Sequence, residues 1–153
     1  MAFNARDLAV DGVRELQPYQ PGKPVEELER DLGLSDIVKL ASNENPRTSS
    51  DVIAKALAQQ QSDTSRYPDG SGYTLKIRLS ELLGVSTDQL TLGNGSNDVL
   101  ELLVRAFVCP GQGVVVSEHS FAVYSLAACA VGADLKTAPA RSWGHDLDAM
   151  LSL

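Results

Sequence analysis

The sequence predicts an α/β fold with a mostly parallel sheet. Short apolar runs of strand type occur at Leu90–Leu92 and Val114–Val116, with a third strand expected over Asp134–Ala138. Between them lie segments whose apolar residues recur at helical spacing, as in Val99, Leu100, Leu102, Leu103, Ala106 and Phe107. The order strand, helix, strand, helix, strand requires crossover connections, and crossovers lay strands parallel.

Length and composition set the class. The chain has 153 residues, 43% of them hydrophobic, which is enough for one domain with a core or for part of a larger one. A formal net charge of −7 provides no basic surface for nucleic acid or for an anionic membrane. No apolar run reaches the length of a bilayer span, and Met1–Asp7 does not read as a secretory signal, so the expected compartment is the cytoplasm. The two cysteines, Cys109 and Cys129, are expected as small buried hydrophobes, and with His119 and His145 far apart no metal site is expected.

From the N-terminus, residues 1 to 23 are punctuated by Pro18, Pro21 and Gly22 and read as an arm rather than a packed unit. Pro24 is suited to open a short acidic helix through Val25–Arg30, which Gly33 would end. Ile37–Leu40 reads as a short strand, broken by the polar turn Ser42-Asn43-Glu44-Asn45-Pro46. Ser50 or Asp51 starts a second helix through Val52, Ile53, Ala56 and Leu57. After the turn cluster Arg66-Tyr67-Pro68-Asp69-Gly70, a third helix carries Leu75, Leu79, Leu82 and Leu83 and stops at Gly84. The strand Val114–Val116 follows the turn Pro110–Gly113, a helix runs from about Ala122 to Val131, and a further helix begins near His145.

The most informative segment is Gly93-Asn94-Gly95-Ser96-Asn97-Asp98, between the expected strand at Leu90–Leu92 and an amphipathic helix. Gly93 and Gly95 allow a sharp turn and close approach of a ligand to the backbone. Ser96 or Asn97 is expected to cap the helix, and Asp98 in its first turn suits the helix dipole. Unpaired amide hydrogens at a helix N-terminus attract a phosphate. The spacing also approaches a dinucleotide fingerprint, but Asp98 stands where that fingerprint wants a glycine and would bring a carboxylate towards the pyrophosphate.

Four segments, taken in order, resemble the pyridoxal-phosphate-dependent aminotransferases of fold type I, and among them the histidinol-phosphate aminotransferases. They are Pro18-Tyr19-Gln20-Pro21-Gly22, Leu40-Ala41-Ser42-Asn43-Glu44-Asn45-Pro46, Arg66-Tyr67-Pro68-Asp69-Gly70 and Gly93–Asp98. The aromatic pair in Ser120-Phe121-Ala122-Val123-Tyr124 supports them. The resemblance covers essentially the whole chain but only the first part of the family's length. It implies an arm and small-domain segment over residues 1 to 48 and the start of the large, cofactor-binding domain over 49 to 153.

The resemblance also implies roles for individual residues. Gly95, Ser96 and Asn97 would hold the phosphate of pyridoxal 5'-phosphate, and Phe121 would stack on its pyridine ring. Tyr67 would cross a homodimer interface to the partner's cofactor phosphate, while Tyr19, Asn43 and Glu44 would face the substrate. The implied reaction is amino transfer between glutamate and imidazole-acetol phosphate in histidine biosynthesis. One departure is Arg47-Thr48-Ser49, where relatives carry a small glycine after the Asn-Pro pair.

Such chemistry needs a lysine that holds the cofactor covalently, an aspartate against the pyridine nitrogen and arginines for substrate anions. The five lysines (Lys23, Lys39, Lys55, Lys76 and Lys136) do not stand in the Ser-x-x-Lys setting of relatives. No catalytic residue is therefore assigned to this chain. It stops inside an expected helix, so it is expected to be the front of a longer enzyme and, alone, poorly stable and inactive. The competing readings are an aminotransferase for aromatic amino acids, a non-catalytic phosphate-binding module, and a nucleotide-binding α/β domain.

Overall fold

The computed structural model describes residues 5–40, 42, 44, 45, 47, 51–60 and 65–153. Two compact units divide the chain: Met1–Tyr19 with Asp88–Leu153, and Gln20–Thr87.

The first unit is built around a βαβ element. Strand β1 (Gly113–Ser117) and strand β2 (Asp134–Ala138) pair in parallel, with Gly113 opposite Asp134 and Ser117 opposite Ala138. Helix α6 (Ala122–Ala130) connects them. Before it in the chain come helices α1 (Asp11–Arg14) and α5 (Ser96–Phe107), and both pack against α6. The buried core consists of Val116, Ser117, Val123, Ala127, Ala128 and Ala138. Small side chains at Ala127 and Ala128 let the neighbouring backbones come close. The closest approach is at Gly12, where a Cβ would stand 2.0 Å from the Cys129 carbonyl oxygen. Residues 1 to 23 were expected as an unpacked arm; this contact seats part of that segment on α6.

A two-stranded antiparallel ribbon follows, β3 (Ala140–Arg141) and β4 (Gly144–His145). Ser142 and Trp143 at its tip both have positive φ, 52° and 64°, as a tight hairpin with the right-handed twist of its strands requires. Helix α7 (Leu147–Leu151) is capped by Asp146, whose carboxylate accepts from the Ala149 amide at 3.0 Å. His145, expected to open that helix, lies in β4 instead.

The second unit holds helices α2 (Val25–Leu32), α3 (Asp51–Gln60) and α4 (Tyr73–Leu83). Helices α2 and α4 end at Gly33 and Gly84, both left-handed, where the sequence places their stops. None of the described residues in these three helices is buried.

Two expected strands do not form. Leu90–Leu92 and Ile37–Leu40 run as irregular chain, because neither finds a ladder partner among the described residues. Helix α5 forms as expected, yet Leu102, Leu103 and Phe107 of its apolar stripe remain exposed. Cys109 is exposed and Cys129 half-buried, which corrects the expectation that both are buried. Cys109 sits just past the α5 terminus, in the turn where its amide donates to Gln112 Oε1. No described helix is long and apolar enough to cross a membrane.

Candidate cofactor-phosphate and ring-stacking site

The turn before α5 is held by backbone conformation and one carboxylate. Gly95 is the N-cap residue, with φ 84° and ψ 175°, a region essentially confined to glycine. No side chain caps the helix, so the expectation that Ser96 or Asn97 does so is corrected: Ser96 is already the first helical residue. The polar work falls to Asp98, whose Oδ2 accepts from the Asn94 amide at 2.9 Å. This resembles the reach-back half of a capping box, with the acid at the third helical position. Gly93 is fixed sterically, since a Cβ there would meet Asp98 Oδ2 and Val99 Cγ2, each at 2.9 Å.

With Asn94 served by Asp98, the amides of Ser96 and Asn97 lie in the first helical turn, where no intrahelical acceptor exists. A Cβ placed on Gly95 would meet nothing within 4 Å, so the space beside the cap is open. Open space, free amides and the positive end of the α5 dipole are what a phosphate dianion requires.

Phe121 is the N-cap residue of α6 and 40% exposed. Its ring meets Tyr19 edge to face, with centroids 5.9 Å apart and planes at 84°. Tyr124 contacts the same ring at 6.4 Å, again edge to face. Tyr19 also lines, with Leu16, Asn97, Glu101, Val123 and Leu126, a cavity of about 540 Å³ between the N-terminal segment, α5 and α6. The first unit therefore gathers Asn97, Tyr19 and Phe121, residues far apart in sequence, around one region. Across the cavity wall Arg105 pairs with Glu101 at 3.6 Å, one helical turn away.

The other expected residues lie in the second unit or outside the described residues. Tyr67 is fully exposed in the turn before α4. That turn is organised by Asp69, whose carboxylate accepts from the Ser71 amide and hydroxyl and from the Tyr73 amide at 2.7 Å. These donors, the Ser71 hydroxyl first, hold the Asp69 carboxyl below its ordinary value of 3.8. Glu44 is paired with Lys39 at 2.8 Å. Asn45 Oδ1 accepts from the Arg47 amide at 3.1 Å. Asn43 lies outside the described residues.

The profile of the family described as aminotransferase class I and II matches residues 35–153. The chain belongs to that family. A histidinol-phosphate aminotransferase of Pseudomonas fluorescens is 54% identical over 146 residues, which is 94% of this chain and 40% of the relative. One from Idiomarina loihiensis is 54% identical over 148 residues, 97% of this chain and 40% of the relative. The chain thus spans about 40% of the length of these curated relatives.

Among solved structures, histidinol-phosphate aminotransferase from Sinorhizobium meliloti, in complex with pyridoxal-5'-phosphate, superposes with a TM-score of 0.79 at 27% identity. That match covers 93% of this chain and 38% of the other. The α-aminoadipate aminotransferase LysN of Thermus thermophilus gives a TM-score of 0.58 at 26% identity, over 67% of this chain and 28% of its own. The fold is that of the N-terminal part of a fold type I aminotransferase.

Two features of the turn are not evident from residue types alone: Asp98 as its clamp and Gly95 as the cap itself. A signal for the first was present, an acid three residues after the cap position.

Proposed function

We propose that this chain supplies the cofactor-phosphate cradle and ring-stacking face of a histidinol-phosphate aminotransferase that uses pyridoxal 5'-phosphate. The observation that carries the reading is the 54% identity to curated enzymes of that name over 94% of this chain. In this reading the Ser96 and Asn97 amides and the Ser96 hydroxyl receive the phosphate, with Gly95 leaving room for it. Phe121 gives the pyridine ring an apolar face without a competing hydroxyl. The bound cofactor would act as electron sink for the exchange of an amino group between glutamate and imidazole-acetol phosphate. The chain's own residues bind and orient; none is assigned a proton-transfer step.

Tyr19, whose ring meets Phe121 edge to face, would contact the substrate beside the cofactor ring. Asn43 and Glu44 are assigned to the substrate mouth, which for Glu44 requires release from Lys39. Tyr67, with its phenol free, suits a reach to the cofactor phosphate of a second copy in a homodimer. A cytoplasmic biosynthetic enzyme with small-molecule substrates is the setting this implies.

Two glycine variants test the cradle. Gly95 and Gly111 have nearly the same positive φ, 84° and 81°, and open space where a Cβ would go. Alanine is strained at both positions, by about 1–3 kcal/mol, because each φ is positive. Titrated with pyridoxal 5'-phosphate, Gly95→Ala is expected to bind about tenfold more weakly than Gly111→Ala. Equal affinities in the two variants would remove the phosphate from this turn. For the substrate, an enzyme carrying this segment should form glutamate from 2-oxoglutarate with histidinol phosphate as donor. Turnover with aromatic amino acids alone would favour the sister activity.

A further inference from the structure

We propose that Glu118 and His119 are positioning residues that fasten the loop between β1 and α6 to the β3–β4 ribbon and so fix where Phe121 presents its ring. The inference rests on the reading of Phe121 as the cofactor's stacking face. The loop, Glu118–Phe121, is joined to residues some twenty positions later in the chain. The Glu118 amide donates to the Ala138 carbonyl at 2.8 Å, continuing the line of β1 and β2 by one bond. Its side chain turns the same way, Oε2 accepting from the Ala140 amide at 3.2 Å. Glu118 thus grips both sides of Pro139, which lacks an amide to donate.

His119 completes the fastening. Its φ of 60° lies in the left-handed region, uncommon for a residue with a side chain though less so for histidine. Its ring lies over the Trp143 indole, centroids 4.9 Å apart and planes tilted by 34°, and its Nε2 is 3.9 Å from Glu118 Oε2. Trp143 itself has positive φ and is 86% exposed, so core packing does not account for its place at the ribbon tip. Two residues of positive φ face each other across a ring contact, one on the loop and one on the ribbon. Ser120 then bonds back to the Ser117 carbonyl at 3.1 Å, and Phe121 follows at the start of α6. Tyr19 and Tyr124 touch the Phe121 ring only by edge contacts, which leaves the loop backbone to set its position.

Both side chains are about half exposed, 52% for Glu118 and 50% for His119, so their loss should relax the loop without unfolding the unit. The test uses the whole chain with Glu118→Ala, Glu118→Gln and Phe121→Leu. Two quantities are read: amide hydrogen exchange at Ala140 and Ser120, and binding of pyridoxal 5'-phosphate. Binding is followed by quenching of emission from Trp143, the only tryptophan in the sequence.

Glu118→Ala should speed exchange at both amides by about threefold to tenfold and weaken binding by a similar factor. Glu118→Gln, whose amide oxygen still accepts from Ala140, should restore most of both. Unchanged exchange and binding in Glu118→Ala would overturn the proposal. So would faster exchange with undiminished binding, since the fastening would then not serve the site. Phe121→Leu separates the two readings. If it binds as the parent chain does, Phe121 is not the stacking face and the positioning role falls with it. If it binds weakly while Glu118→Ala binds normally, the cofactor reading stands and the fastening alone fails.

Discussion

Replacing Gly12 by alanine is the sharpest test of how the N-terminal segment reaches the site. The new Cβ would stand 2.0 Å from the Cys129 carbonyl oxygen, 3.1 Å from its carbon and 3.3 Å from the Gly132 nitrogen. All three are backbone atoms of α6 or its end, so no side chain can rotate away. The two backbones must part by roughly 1 Å or more to restore ordinary contact. Overpacking of this kind costs about 1–3 kcal/mol. Against it, alanine gains up to about 1 kcal/mol over glycine as a helix former, though α1 is a single turn and realises only part of that.

The net penalty, about 1–2 kcal/mol, corresponds to roughly a five- to thirtyfold rise in the detached population. Detachment should be local, because the core residues lie in β1, α6 and β2 and none of them in α1. Amide exchange at Val13 and Leu16, which donate to the Val10 and Val13 carbonyls, should accelerate by that factor. Tryptic cleavage after Arg14 should accelerate with it, while amides of β1 keep their protection. Gly132→Ala is the control at the end of α6: its positive φ of 74°, which Gly12 does not share, strains alanine there, but its nearest neighbour would be the Pro110 Cβ at 3.6 Å, an ordinary contact. Unchanged or slower exchange at Val13 in Gly12→Ala would refute the close seating of α1 on α6.

Two further outcomes follow from the turns. The Asp69 carboxyl titrates below 3.8 in the folded unit, so the stability it lends α4 is complete above the unfolded value. That contribution is lost as pH falls through the lower folded value; carboxyl chemical shifts should show the depressed midpoint, and Asp69→Ala should abolish the acid-dependent fraying of Tyr73. Gly93→Ala should push the Asp98 carboxylate off the Asn94 amide, since the Cβ would lie 2.9 Å from Oδ2. Exchange at Asn94 should then rise by about fivefold to tenfold, and no change would mean that the turn absorbs a methyl group freely.

How much of this was legible in the sequence depended on how local the cause is. Helices α2 and α4 were readable to their last residues because a left-handed glycine ends each one within the segment itself. The strands β1 and β2 were readable because they lie on either side of one helix and pair with each other. Leu90–Leu92 and Ile37–Leu40 carry the same apolar signature and form no strand. A strand exists only with a ladder partner, and no local pattern reveals whether one is present. The turn before α5 was legible in its glycines but not in its cap. Ser96 and Asn97 are good capping residues by type, yet Gly95 takes a conformation open to it alone and shifts the helix start by one.

The same distinction separates the residues proposed to touch the cofactor from those that hold them in place. Gly95, Ser96, Asn97 and Phe121 belong to short motifs with chemical meaning, which is why a single sequence offers them as candidates. Gly12, Asp98, Glu118 and Trp143 act through geometry that exists only after folding. Gly12 needs the Cys129 carbonyl opposite it; Glu118 needs the amide of Ala140, twenty-two positions away. The supporting residues have no preferred spacing, because any element that arrives at the right place can provide them. Substituting Ser96, Asn97 or Phe121 should change affinity while leaving local protection unchanged, whereas alanine at Gly95 also strains the backbone. Substituting the second group should change both in proportion, and exchange measured beside binding tells the two groups apart.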